Sequence, residues 1–232
     1  MKIVLISPCD KRNEWKDTRS VFVFPPLSLA CLKAVTPARH SVVTIDETIE
    51  PIDIPQDVDL IGISIFTSSA TRGYELADEF RATSIPVVLG GIHVTLCPDE
   101  ASLHADAIVT GEGEDAWPRL LEDFENGQLQ PRYSTGPVDL SQTGIPDHSI
   151  YSKSRYRISQ TVMATRGCPF QCSFCATTYL FGKRFRTRPL DQIVTEISSF
   201  RKRLFLFLDD NLFFNRHYAK DLMRALIPLK KN

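Results

Sequence analysis

Apolar residues recur along this chain in two rhythms. Short continuous runs occupy positions 2–7 (KIVLIS), 41–45, 60–66, 86–89 and 107–109, bounded by Gly, Pro or Asp. Such runs are the pattern of strands buried on both faces, as in parallel sheets. Between them the spacing turns helical. Residues 68–83 carry Tyr74, Leu76, Ala77 and Phe80 near a helical period, and residues 26–35 and 115–124 read similarly. Strands alternating with helices predict an α/β fold, a doubly wound parallel sheet covered on both faces.

The alternation breaks over residues 127–160. Gly127, Pro131, Gly136, Pro137, Gly144 and Pro146 punctuate it, and a polar SKSRYR stretch follows. This reads as a linker or strap; the first domain is set at residues 1–136 and the linker at 137–160. A second βα pattern starts at 161, with strand TVMAT (161–165), a cysteine-rich loop (166–182), helix 190–202, strand 204–208 and helix 216–226. A βα unit takes roughly 30 residues, so residues 161–232 hold only about two units where a closed barrel needs about eight. The expectation is the opening of a truncated barrel, or two units docked on the first domain as extra layers.

Composition narrows the class. A hydrophobic content of 43% and a charged content of 24% over 232 residues exclude disorder, collagen and coiled coil. A net charge of −1 provides no global field for nucleic acid or anionic membrane. The N-terminal apolar run is too short for a signal segment, and no stretch approaches the ~20 residues of a membrane span. The chain is expected in the cytoplasm, with no nucleic-acid partner. In that reducing compartment, six cysteines point to metal or cluster ligation rather than to disulfides.

Three of the six are concentrated in Cys168-Pro169-Phe170-Gln171-Cys172-Ser173-Phe174-Cys175, directly after a predicted strand. Thiolates spaced CxxxCxxC reach one centre only if the backbone curls around it; Gly167 supplies flexibility and Pro169 discourages a helix at the start of the curl. An iron–sulfur cubane on three protein thiolates keeps one iron open. The alternatives are a structural zinc site, which prefers four ligands although no histidine lies nearer than His217, or buried thiols with no ligand role.

At these residues the chain resembles the radical S-adenosylmethionine superfamily, whose signature carries an aromatic residue before the last cysteine, the place of Phe174. The resemblance implies a [4Fe-4S] cluster on Cys168, Cys172 and Cys175, with S-adenosylmethionine bound to the fourth iron through its amine and carboxylate. It implies reductive cleavage to a 5'-deoxyadenosyl radical and an electron donor such as flavodoxin or ferredoxin. Arg166-Gly167 before the loop, and Phe181-Gly182 through Arg186-Thr187-Arg188-Pro189 after it, look like the cobalamin-dependent branch. Many superfamily members have Gly-Gly-Glu after the second barrel strand; here FLFL runs into Asp209-Asp210-Asn211, similar to that branch, which implies cofactor contact by Asp209 and Asn211. The plainer alternative is that Asp209 or Asn211 caps the next helix. Arg186 and Arg188 read either as anion contacts or as solvated loop charges.

Open α/β sheets bind ligands at the carboxyl ends of their strands. Ser64, Thr67 and Ser68 follow the third predicted strand, Gly90-Gly91-Ile92-His93-Val94-Thr95 the fourth, and Gly111-Glu112-Gly113-Glu114 the fifth. Glycines there let a bulky ligand approach the backbone, although they also commonly just make turns. With the thiol loop downstream, GGIHVT and ADAIVTGEGE look like the flavodoxin-like, cobalamin-binding N-terminal domain of the same branch. The resemblance implies that the 64–68 and 90–95 loops hold the nucleotide tail and flank the corrin. Other cobalamin domains carry DxHxxG after the first strand; this chain has Pro8-Cys9-Asp10-Lys11-Arg12, so cobalt lacks that histidine ligand. His93 reads as a loop residue, either near the corrin edge or structural, and His40, His104 and His148 are given no role.

Cys9, Cys31 and Cys97 raise a rival, the methylthiotransferases, which hold a second cluster on three N-terminal cysteines. Cys31 falls in the apolar helical stretch LSLACLKAV and reads better as a small buried hydrophobe. The family chemistry implies C-methylation or a related radical reaction on an unreactive carbon. The non-catalytic alternative is a fragment that binds the cofactors without turnover. The substrate is not legible.

Overall fold

The computed structural model describes residues 1–9, 24–151, 156 and 158–230. Asp10, Lys11 and Arg12, and the SKSRYR stretch apart from Tyr156, lie outside the described residues.

Strand β1 (Lys2–Ser7) is buried from Ile3 to Ser7 and lies between β2 (Ser41–Asp46) and β3 (Leu60–Ser64), parallel to both. With β4 (Val87–Gly90), β5 (Ala107–Thr110) and β6 (Arg132–Ser134) they form a six-stranded, fully parallel sheet in the order β2-β1-β3-β4-β5-β6. The pleat divides the apolar runs between two cores. Val4 and Ile6 face the side where Ile61, Ile63, Tyr74, Leu76 and Ala77 pack. Ile3 and Leu5 face Leu29, Trp117 and Leu120 on the other. Helices α1 (Leu27–Val35) and α5 (Gly113–Glu125) cover this second face. Helix α2 (Ala70–Ala82) and the short α3 (Ile92–Leu96) and α4 (Pro98–Ala101) cover the first. Each such side chain removed from water contributes about 1.5–3 kcal/mol before chain entropy is counted. The doubly wound sheet expected from the alternation is the one observed.

Several boundaries differ from the sequence reading. Strand β6 lies inside the Gly- and Pro-rich stretch, where only Tyr133 of its three residues is buried. The 90–95 segment is largely helix α3 rather than loop. The TVMAT run divides into β7 (Thr161–Val162) and β8 (Thr165–Arg166), because the Asp209 carboxylate takes the backbone amides of Ala164 and Thr165.

In the second half, β7 pairs in parallel with β10 (Leu206–Phe207), and β8 pairs antiparallel with β9 (Arg186–Thr187). Helices α6 (Thr177–Phe181), α7 (Leu190–Ser199) and α8 (Arg216–Leu226) complete it. Val162, Ala164, Ile193, Ile197, Phe200, Leu212 and Leu222 form its core. The cap of α8 is Asn215, whose side chain accepts from the amides of His217 and Tyr218, rather than Asp209 or Asn211. The linker is tied to both halves. Tyr151 donates to the Pro26 carbonyl at 2.6 Å and Tyr156 to the Asp46 carboxylate, while His148 Nε2 lies 2.7 Å from Glu196 Oε1.

Candidate functional site

The carboxyl ends of β1, β3 and β4 finish at Ser7, Ser64 and Gly90 along one edge of the sheet, on both sides of the point where strand order reverses. A cavity of about 690 Å³ opens there, within the range of small-molecule sites. The sheet supplies Ile63, Val88 and Val109, the segment before α1 supplies Pro25 and Pro26, and the second half closes over with Met163, Arg166, Leu180, Phe181, Leu208 and Asp210.

Of the residues singled out in the sequence, Ser64, Ser68, Gly90, Gly91, Thr95, Gly111, Glu112 and Gly113 line this cavity, and Thr67 and His93 do not. Ser64 Oγ lies 3.1 Å from Ser28 Oγ. The Thr95 hydroxyl donates to the Gly91 carbonyl at 2.9 Å and accepts from the Gly111 amide at 3.1 Å, so it ties the turn after β4 to the turn after β5. At two of the glycines the turn reading holds. Gly91 (φ +101°) and Gly111 (φ +86°) sit in left-handed backbone, and a Cβ would meet the Ile65 backbone at 2.8 Å and the Thr135 carbonyl at 2.1 Å. Close packing of the chain on itself requires them.

Glu112 and Glu114 enter a buried ion network across the two halves. Arg166 donates to Glu112 at 2.8 Å and to Glu114 at 2.5 Å; Arg186 donates to Glu112 at 2.5 Å and also to the carbonyls of Phe181 and Val138. Burial raises the Glu114 carboxyl, but the adjacent Arg166 charge outweighs it and leaves the group below its ordinary value. Arg186 and Arg188 are therefore not solvated loop charges. Arg188 is buried against Glu196 at 2.6 Å. The sequence signal that was missed is a pair of glutamates in GEGE and arginines flanking the thiol loop.

That loop leaves the network directly, since Arg166 precedes Cys168 by two positions. Cys168 is half-buried, and Cys172 and Cys175 are exposed. The Cys168 amide donates to the Gly182 carbonyl at 3.3 Å and the Cys175 amide to the Cys172 carbonyl at 3.0 Å, which produces the curl. Cys175 Sγ lies 3.2 Å from Thr177 Oγ1, and this hydrogen bond lowers the thiol from its ordinary value. Asn211 Nδ2 is 4.0 Å from Cys168 Sγ. Phe174 stands out at 90% exposed. Asp209 is half-turned away: its carboxylate accepts from Ala164, from the Thr165 amide and from the Thr165 hydroxyl, and burial raises its pKa.

The remaining thiols are not gathered at one place. Cys9 and Cys31 line the cavity, whereas Cys97 groups with His93 and Glu100 on another face of α3. Burial, and then the charge of Glu114, push the Cys31 thiol up to about 12. Among the described residues, no helix is long and apolar enough to cross a membrane.

The fold is thus a parallel α/β sheet with a cavity at its carboxyl edge, closed by a segment that carries three thiols. Residues 18–121 match the B12 binding domain family. The chain is 35% identical over 224 residues to bacteriochlorophyllide d C-8(2)-methyltransferase of Chlorobaculum tepidum, covering 88% of this chain and 49% of that protein. It is 31% identical to the C-12(1)-methyltransferase of the same organism, covering 98% and 52%. The solved radical S-adenosylmethionine methyltransferase TsrM from Kitasatospora setae superposes with a TM-score of 0.75 at 18% identity, over 98% of this chain and 51% of that one. Residues 18–121 therefore carry a B12 binding domain, and the likeness to the methyltransferases extends along most of the chain. The chain spans about half the length of the curated relatives it matches.

Proposed function

We propose that this chain is the cofactor-bearing portion of a cobalamin-dependent radical S-adenosylmethionine methyltransferase that acts on an unreactive carbon. One observation carries the reading: the segment bearing Cys168, Cys172 and Cys175 also closes the cavity at the carboxyl edge of the sheet, through Arg166, Leu180 and Phe181. In this reading residues 1–136 form the cobalamin-binding unit, 137–160 the linker and 161–232 the opening of the radical unit. The methyltransferase names of the relatives supply the class of reaction.

The residues present fit the groups the family implies. Three accessible or half-accessible thiols on a curled backbone suit a cluster with one open iron. A largely apolar cavity edged by Ser64, Ser68 and the backbone at Gly90 and Gly113 suits a broad ring with a polar rim. When bound, the cluster supplies the electron that splits S-adenosylmethionine, and cobalamin carries the methyl group. The chain's own residues do the positioning. Glu112, Arg166 and Arg186 fix the thiol loop against the cavity, Asp209 fixes the ends of β7 and β8, and Asn211 and Phe174 present a polar and an aromatic side chain beside the thiols. The reading also brings a one-electron donor of the flavodoxin or ferredoxin type and a reducing cytoplasm, where such thiols stay unpaired.

The test is incubation of the reconstituted chain with dithionite and S-adenosylmethionine. 5'-Deoxyadenosine is expected, and Cys172→Ala abolishes it. Its absence from protein that holds both cofactors would overturn catalysis by this chain and leave a binding portion without turnover.

A further inference from the structure

A second set of ligand-type side chains sits on the face of α3 that turns away from the cavity. His93 and Cys97 are one helical turn apart, and Glu100 follows in α4. One ligand atom from each, an imidazole nitrogen, the thiol sulfur and a carboxylate oxygen, lie within 4.8 Å of one another. His93 Nε2 and Glu100 Oε1 are 3.4 Å apart, long for a hydrogen bond. Two such atoms each about 2.0–2.1 Å from one tetrahedral ion are separated by roughly 3.3 Å.

Two further buried polar atoms flank the group. His93 is 7% exposed, and its Nδ1 is buried with no hydrogen-bond partner. The Tyr74 hydroxyl, from α2, is likewise buried with no well-formed hydrogen bond. Its ring lies beside the same group, with its centroid 5.9 Å from that of the His93 imidazole.

We propose that His93, Cys97 and Glu100 form a zinc site, distinct from the thiol loop and from the cavity, with its fourth position open to solvent beside exposed Glu100. A mixed nitrogen, sulfur and oxygen set suits this borderline-soft ion, whereas calcium and magnesium take oxygen ligands. One thiolate and one carboxylate neutralise the dication, so the half-buried site carries no net charge. The ion pins the elbow between α3 and α4. Because Ile92 and Thr95 on the opposite side of α3 line the cavity, it also braces that wall. The site stands independently of the reaction proposed above.

Metal content tests it. The full chain with Cys168, Cys172 and Cys175 all changed to alanine, stripped by chelator and dialysed against zinc, is expected to retain about one zinc. Adding Cys97→Ala removes it, and Glu100→Gln, at an exposed position that spares the fold, weakens zinc binding at least tenfold. Cobalt(II) in place of zinc gives a thiolate charge-transfer absorption that Cys97→Ala abolishes. In the unaltered chain, Cys97→Ala lowers zinc content by the same one equivalent. Absence of zinc from folded triple-alanine protein, or zinc content indifferent to both Cys97→Ala and Glu100→Gln, would overturn the proposal.

Discussion

Arg186 and Glu112 lie 74 positions apart in the chain and 2.5 Å apart in space, in a pair buried where the two halves meet. Through it the turn after β5, which lines the cavity, is bonded to the strand that follows the thiol loop. Removing one member of a buried pair leaves an uncompensated charge and costs about 3–5 kcal/mol, more than a hydrophobic replacement of both. Glu112→Ala is therefore expected to lower the denaturant midpoint sharply. Glu112→Leu with Arg186→Met is expected to recover part of the loss, although Arg166 still faces the site. Equilibrium unfolding in urea of the single and double variants checks this. Equal midpoints for wild type and Glu112→Ala would remove the pair as a structural tie.

Gly91 provides a second test, at the cavity wall. Alanine there meets the Ile65 backbone at 2.8 Å in left-handed backbone, and strain of this kind costs of order 1–3 kcal/mol before the clash is added. At Gly136 nothing lies within 4 Å of the position a Cβ would take, and a surface change of this kind stays within about 0.5 kcal/mol. Thermal unfolding is expected to separate Gly91→Ala from Gly136→Ala. A neutral Gly91→Ala would mean that the turn after β4 is not packed as described.

Asp46 sets a pH dependence. Burial raises its carboxyl above the ordinary value of 3.8, opposed by hydrogen bonds from Tyr156 and Thr48, with nearby Glu47 adding to the rise. A folded state with the higher pKa binds the proton more readily than the unfolded state. Its contribution to stability is therefore fully present at pH below 3.8 and is lost as pH rises through the folded pKa. Asp46→Asn removes this component. The difference in urea midpoint between wild type and Asp46→Asn is expected to change over that window and to be flat well above it. A constant difference throughout would show that Asp46 titrates alike in both states.

The parts legible in the sequence and the parts that were not differ in range. Strands β1 and β3 are buried on both faces, so their apolar runs declare them without reference to anything distant. Strand β6 has one buried side chain, Tyr133, in three residues, too little for any period to show. The break between β7 and β8 is imposed by Asp209, 44 positions beyond Thr165, and no local pattern encodes it. The three cysteines of the thiol loop stand out in the sequence because their spacing is local.

The glycine turns beside the cavity were legible, but not the partners that fix them. Gly91 and Gly111 marked the right turns, yet their conformations answer to Ile65 and Thr135. His93 shared the motif with Gly90, Gly91 and Thr95, but a helical turn carries it to the opposite face, beside Tyr74 and Glu100. Arg186 and Arg188 looked like loop charges because Glu112 lies far away in sequence and because Glu196, on α7, faces Arg188 only once that helix has packed.

In the proposed function, one chain brings a thiolate-held cluster to the edge of a cobalamin cavity. Iron, sulfide and cobalamin content of the anaerobically reconstituted chain tests it most directly. A coloured protein with about four irons and one cobalamin per chain is expected, with loss of the iron alone in Cys168→Ala, Cys172→Ala and Cys175→Ala. Colourless protein, a single zinc on those thiols, or about eight irons without cobalt would contradict it.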